Sequence, residues 1–266
     1  MKKVILFCVF PVLLLAEIYY AKLEPFDTYA IKSSVSGEVI TSLKQKEGLI
    51  SDGSIVVKLD DELDKKELKN AQEKHIFLNN MVALTQKNIV NAKEIAKIKE
   101  ENFNKIKELK TKSKVDKDNE YITLITTQNQ VLALEESLEN LKSQLSDLTF
   151  KIALLKDRIE KKSVTVAKGF LIYKIYTNEH DVVGVGSPLI DAYDVKNGKL
   201  SIFLSKDDVE LAKTGVVYID GQKSDFKVHK IWSVADTQNI SSYRCEIIVP
   251  SPKQFSGLFK VEFKAK

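Results

Sequence analysis

Neither glycine nor proline occurs between residues 54 and 168, although the 266-residue chain carries ten glycines and five prolines. A stretch that long without either helix breaker is compatible with little other than continuous helix. The flanking segments are punctuated by glycine and rich in β-branched residues, which predicts strands on both sides. In the second half of the stretch, Leu124, Thr127, Val131, Leu134, Leu138, Leu141, Leu145, Leu148, Ile152, Leu155 and Ile159 recur at alternating spacings of three and four. That is the narrow seam of a coiled coil.

The first half carries a weaker seam through Leu68, Ala71, His75, Leu78, Val82, Thr85, Ile89, Ala92 and Ala96. Ile98, Asn102, Ile106 and Leu109 read as its continuation in a shifted register. Between the halves, Lys110 to Asp118 holds one apolar residue, Val115, so the chain is expected to turn there. Each seam needs a partner, and the two arms are nearly equal, which predicts an antiparallel hairpin over residues 61–163 with its tip at about 110–118. Arms of roughly 45 residues at ~1.5 Å per residue give a length of about 70 Å.

The segments on either side of the hairpin repeat one another. Ser36-Gly37-Glu38-Val39-Ile40, then Lys46-Glu47-Gly48, then Asp52-Gly53-Ser54-Ile55-Val56 form the first copy. Lys168-Gly169-Phe170-Leu171-Ile172, then Asn178-Glu179-His180, then Val185-Gly186-Ser187-Pro188-Leu189 form the second. Gly37, Gly48, Gly53, Gly169 and Gly186 are expected to make the turns.

These copies resemble the two half-motifs of a biotinyl/lipoyl domain, over residues 17–60 and 164–195. Where a carrier protein of that fold keeps its cofactor-bearing lysine, this sequence inserts the hairpin. No lysine here is flanked by methionine, and Met81 is the only methionine besides Met1; no cofactor is expected. The whole arrangement resembles the periplasmic adaptor, or membrane fusion, family of HlyD-like proteins. The resemblance extends into residues 196–266, which are similar to the family's small β-barrel domain. There Gly198 to Leu204 reads as its first strand, Ser205 and Asp208 as a capping box, and Gly215 as the end of a short helix. Val216 to Ile219 and Phe226 to Trp232 read as further strands, and Phe255 to Val261 as the returning one. The expected fold class is therefore α+β: a coiled-coil hairpin inserted in a split lipoyl-like domain, followed by a β-barrel. Many adaptors add a membrane-proximal domain built from both termini, and the expectation here is of an adaptor without a full one.

The N-terminus reads as an export signal over residues 1–16, with Lys2 and Lys3 ahead of the apolar run Val4 to Leu15 and Ala16 at the cut. The run is shorter than the ~20 residues of a membrane span. Ile5-Leu6-Phe7 before Cys8 lacks the small residues of a lipoprotein signal. The formal net charge of +4 falls by two without Lys2 and Lys3, which argues little for a polyanionic partner. No nucleic acid is expected, because aromatics do not interleave the basic residues. Removal of the signal leaves Cys245 alone, in an apolar run that predicts a buried thiol rather than a disulfide or nucleophile. His75, His180 and His229 have no metal-ligand spacing, and no catalytic motif is present.

Functional residues are expected at the hairpin tip. Adaptors that dock on TolC-like outer-membrane channels carry arginine, leucine four residues on, and serine seven beyond that. The matching positions here are Lys105, Leu109 and Asp116, with Asp116 as a helix N-cap. Residues 105 to 117 hold six lysines against Glu108 and Asp116, either a solvated end or a surface steered toward an acidic rim. The resemblance implies a homo-oligomer of three to six copies, in the periplasm of a Gram-negative type envelope. It would join an inner-membrane transporter, of the resistance–nodulation–division (RND) type by its cleaved signal, to the channel. The alternatives are an adaptor of an ABC exporter or type I secretion system, a biotin or lipoyl carrier subunit, and a periplasmic coiled-coil protein outside transport.

Overall fold

The computed structural model describes residues 17–236, 239 and 241–265; the expected export signal lies outside them. The elements run β1 (Tyr19–Lys32), β2 (Gly37–Ser42), a 3-10 turn (Lys44–Lys46), β3 (Ile55–Leu59), α1 (Glu62–Lys107), α2 (Lys114–Lys161), β4 (Ser163–Thr165), β5 (Leu171–Ile175), β6 (Val182–Val183) and β7 (Pro188–Leu204). They continue with α3 (Asp208–Thr214), β8 (Val216–Ile219), β9 (Gln222–Lys223), β10 (Lys227–Ile231), β11 (Tyr243–Pro250) and β12 (Leu258–Lys264). Two compact units result: Leu59–Ser163, and the segments on either side of it together.

The helical unit is an antiparallel pair of 46 and 48 residues, each arm about 70 Å long. Every seam residue of α2 from Leu124 to Ile159 is buried or half-buried, and nearly all of the residues between them are exposed. In α1 the same alternation runs unbroken from Leu68 through Ala96 to Lys99, Phe103 and Ile106. The expected register shift does not occur: Ile98 and Asn102 are exposed, while Lys99 and Phe103 are inside. Phe103 holds that register by packing on Tyr121, ring centroids 5.3 Å apart, and the stem of Lys99 supplies apolar surface while its ammonium reaches water. The tip also differs from expectation. It spans residues 108–113, because α2 already begins at Lys114.

The other unit contains two sheets. In the larger, β10-β11-β7-β1-β12-β8-β9 lie in that order and β5 also pairs with β7. Its core follows the two-residue period of strands: Ala21 and Leu23 of β1, Leu200, Ile202 and Leu204 of β7, Cys245 and Ile247 of β11, and Val261 and Phe263 of β12. The barrel-like part therefore does not consist of residues 196–266 alone. Tyr19 to Lys22 pair with β12, and Leu23 to Pro25 pair with residues 198–200 of β7. No boundary falls at residue 195, since β7 runs through it and β1 follows it down to Lys32 opposite Pro188. The one register break in the middle of that ladder is at Pro25, which has no N–H to give.

The sequence repeat appears as an exchange of hydrogen bonds. Gly48 N donates to Ile172 O (2.7 Å) and Ile172 N donates to Leu49 O (3.0 Å). In the other copy His180 N donates to Val39 O and Val39 N to Asp181 O, both at 2.8 Å. Each copy thus completes the other. Gly48 and its counterpart His180 both take the left-handed conformation, with φ of 78° and 70°, as do Gly53 and Gly186, both at 88°. Gly169 also has positive φ. Gly37 does not turn the chain: it is the first residue of β2, opposite Val183.

Candidate docking site at the hairpin tip

Lys105 lies in the last turn of α1, where a cation favours the negative end of the helix dipole. Leu109 is in the turn itself, 44% exposed, with its N–H donating to Ile106 O. Asp116 is exposed in the first turn of α2. The three candidates are therefore gathered at one end of the hairpin and all face solvent. Asp116 is not the N-cap, however. Ser113 is: its Oγ accepts from Asp116 N (3.1 Å), while Asp116 Oδ2 accepts from Ser113 N (3.3 Å), a complete capping box. Serine wins that position because it sits in extended backbone (φ −67°, ψ 159°), as a cap must, with Asp116 in the third helical position. Lys117 closes the turn from the other side, its Nζ donating to Lys107 O at 2.8 Å. One of the six tip lysines is thus structural, and the others are left for solvent or a partner.

The opposite end of the hairpin is locked by charge. Asp64, a seam position with only a tenth of its side chain exposed, pairs with Lys162 and with Arg158 Nη1 (3.3 Å). Burial pushes the Asp64 carboxyl up, but the hydrogen bonds and charges of Lys162 and then Arg158 outweigh it and hold the group below its ordinary value. Leu59 N donates to Lys162 O at 2.8 Å, so backbone and side chains close the root together. An aspartate in the coiled-coil phase just inside the first turn, with basic residues ending the returning arm, is the pattern that would have exposed this clamp in the sequence.

No protein-family model matches the sequence, and no curated protein matches it. The structure is similar to MacA from Actinobacillus actinomycetemcomitans, with a TM-score of 0.62 and 13% identity over 93% of this chain and 78% of that one. It is similar to the membrane fusion protein Spr0693 from Streptococcus pneumoniae, with a TM-score of 0.57 and 13% identity over 94% of this chain and all of that one. A third likeness is to a MacA–MexA chimeric protein containing the Pseudomonas aeruginosa MexA α-hairpin domain, with a TM-score of 0.56 and 15% identity over 94% and 82%. All of these are membrane fusion or periplasmic adaptor proteins.

The chain has the periplasmic adaptor fold.

At these identities the likeness is one of fold. Within the adaptor fold the remaining candidates are placed as follows. Cys245 is fully buried in β11, where burial, with the neighbouring Glu246 charge second, pushes its thiol up to about 12. His75 is half-buried on the seam, His180 is exposed beside Glu38 Oε1 (3.0 Å), and His229 stands edge-on to Phe26. Among the described residues no group of three or more His, Cys, Asp or Glu is placed to hold a metal ion. No helix among the described residues is long and apolar enough to cross a membrane. The short helix α3 is tied to β1: Tyr19 Oη donates to Asp208 Oδ2 at 2.5 Å, and Ser205 Oγ accepts from Asp208 N.

Proposed function

We propose that this chain is the periplasmic adaptor subunit of a tripartite efflux system, linking an inner-membrane transporter to a TolC-like outer-membrane channel. The observation that carries the reading is the adaptor fold with a long hairpin whose exposed tip gathers Lys105, Leu109 and Asp116. Leu109 would be the apolar contact with the channel, Lys105 the charge beside it, and Asp116 the residue that fixes the returning helix under them. The two hydrogen-bond-exchanging copies would be a split lipoyl-type platform without a cofactor, since the lysine-bearing turn of a carrier is replaced by the hairpin. The adaptor would be exported through its N-terminal signal, reside in the periplasm against the inner membrane, act as a homo-oligomer and catalyse nothing. The short apolar N-terminal run favours a transporter of the RND type.

The test is purification of the crosslinked full chain from detergent-solubilised envelopes, with its partners identified by mass spectrometry. An inner-membrane transporter and an outer-membrane channel in one complex are expected, and the transporter's own class decides between RND and ABC assemblies. Recovery of neither partner, or a chain whose intact mass includes biotin or lipoate, would overturn the reading.

A further inference from the structure

Two of the ladders on β7 are interrupted within a few residues of each other. On the β5 side, Ile172 faces Ala192 and Lys174 faces Asp191, so Tyr173 is an extra residue with no partner across the ladder. On the β1 side, Pro25 faces Gly198 and Asp27 faces Asp194, so residues 195–197 of β7 stand opposite Phe26 alone. Breaks of this kind part the strands locally and re-aim side chains. Beside them lies a groove of about 460 Å³, within the range of roughly 300–1,000 Å³ that small-molecule sites occupy.

Rings and charges converge on this groove. The bulge lays Tyr173 on Tyr193, ring centroids 4.5 Å apart and planes 20° from parallel, and leaves Tyr173 55% exposed. Phe255 adds a third ring from the loop between β11 and β12. That loop is pinned to β1 next to Phe255: Ser256 N donates to Leu23 O at 2.8 Å, and Leu23 N donates to Gly257 O at 2.9 Å. Lys22 and Glu24 flank Leu23 along β1, and Lys199 precedes Leu200 in β7. Leu23 and Leu200 belong to the core, so the three charged side chains point the other way, into the groove. Glu24 stands directly opposite Lys199, and Lys22 is the diagonal neighbour of Lys199.

Two ammonium groups against one carboxylate leave a positive charge unmatched. Neither Lys22 nor Lys199 has an ion pair among the described residues, whereas Lys260 and Lys264 on the adjoining β12 are both taken up by Glu262. Lys199 is also half-buried, and a cation partly withdrawn from water gains most from a bound anion. Burial, then Tyr173 and Asp191 beside it, raises the Tyr193 phenol above its ordinary value, so it is a neutral O–H donor.

We infer that this groove binds a small planar aromatic anion, its ring against Tyr173, Tyr193 and Phe255 and its carboxylate or sulfonate on Lys22 and Lys199. The rings supply flat apolar surface, and the lysines select the charge through charge-assisted hydrogen bonds. Such a ligand touches β1, β5, β7 and the loop before β12 together, and so holds closed the place where the ladders break. The inference goes beyond the adaptor reading and stands or falls without it.

The test is isothermal titration calorimetry of the purified full-length chain with 2-naphthoate, and with 2-naphthylmethylammonium and acetate as controls for charge and ring. Naphthoate should bind saturably, one to one, with a dissociation constant below about 1 mM, and both controls should bind far more weakly. Lys199→Gln and the exposed change Tyr173→Ala should each weaken naphthoate binding about fivefold or more. Glu24→Gln should tighten it about threefold, because a competing carboxylate is gone. That gain requires a folded protein, so it separates a lost site from a misfolded variant. Absence of saturable naphthoate binding overturns the inference. So does a control that binds as tightly as naphthoate, an affinity unchanged in Lys199→Gln and Tyr173→Ala, or a Glu24→Gln variant that binds no tighter.

Discussion

Replacing Asp64 by asparagine should loosen the root of the hairpin while leaving its tip paired. The carboxylate is nearly buried, and Lys162 beside it has only 12% of its side chain exposed, whereas Arg158 is half exposed. Breaking a buried ion pair costs about 3–5 kcal/mol, because the surviving charge is left without a partner. The half-exposed Arg158 arm adds on the order of 0–1 kcal/mol. Lys162 can swing its ammonium toward water on its long stem, which offsets part of the loss, so about 2–3 kcal/mol is expected. Hydrogen exchange of the amides near residues 61–66 and 158–162 reads this locally, and protection there should fall roughly 30- to 150-fold at a tenfold change per 1.4 kcal/mol. The effect depends on pH. Folding holds the Asp64 carboxyl below the unfolded value of about 3.9, so its contribution is fully present above that value and is lost as pH falls through the folded one. The wild type should therefore lose root protection in acid, and the asparagine variant should lack that step. A less than threefold change at pH 7, or the same acid step in both proteins, would refute the clamp.

Ser113→Ala should remove the α2 cap at a cost of about 1 kcal/mol, seen as faster exchange of the amides at 114–117 with no change in the seam. Gly53→Ala and Gly186→Ala should each destabilise the sheet unit by about 1–2 kcal/mol, since both glycines hold φ of 88°, while His180→Gly should leave urea stability unchanged or raise it. Cys245 should stay unreactive to maleimide in the native protein and react at once in denaturant, because the thiol is buried and its ionisation pushed up.

The hairpin was legible because helix breakers and coiled-coil spacing are local, one-dimensional signals. The seam of α2 could be read residue by residue. The end of α1 could not, since Ile98 suggests one register and Phe103 another while Ile106 fits both, and only the ring of Tyr121 across the hairpin decides between them. The tip was misplaced for a similar reason. The charged run from Lys114 to Asp118 looks like loop until Ser113 is seen to cap it. The repeat is visible in its glycines, yet Gly37 opens a strand instead of turning the chain, because turn conformation follows from strand pairing as well as residue type. That β1 would serve two sheet regions was hidden altogether: its partners in β7 and β12 lie far along the chain, and nothing in Tyr19 to Lys32 names them. Ile98 and Asn102 read in the sequence as a shifted seam, yet both are exposed. Periodicity alone does not tell an inward stripe from an outward one.

The most direct measurement of the central claim places a photocrosslinking amino acid at position 109 of the full chain and irradiates intact cells. The account predicts a specific adduct between this chain and an outer-membrane channel, lost when the crosslinker is moved to exposed Leu63 near the hairpin root. Equal channel adducts from both positions, or none from position 109 while Ser113 still caps α2, would contradict it.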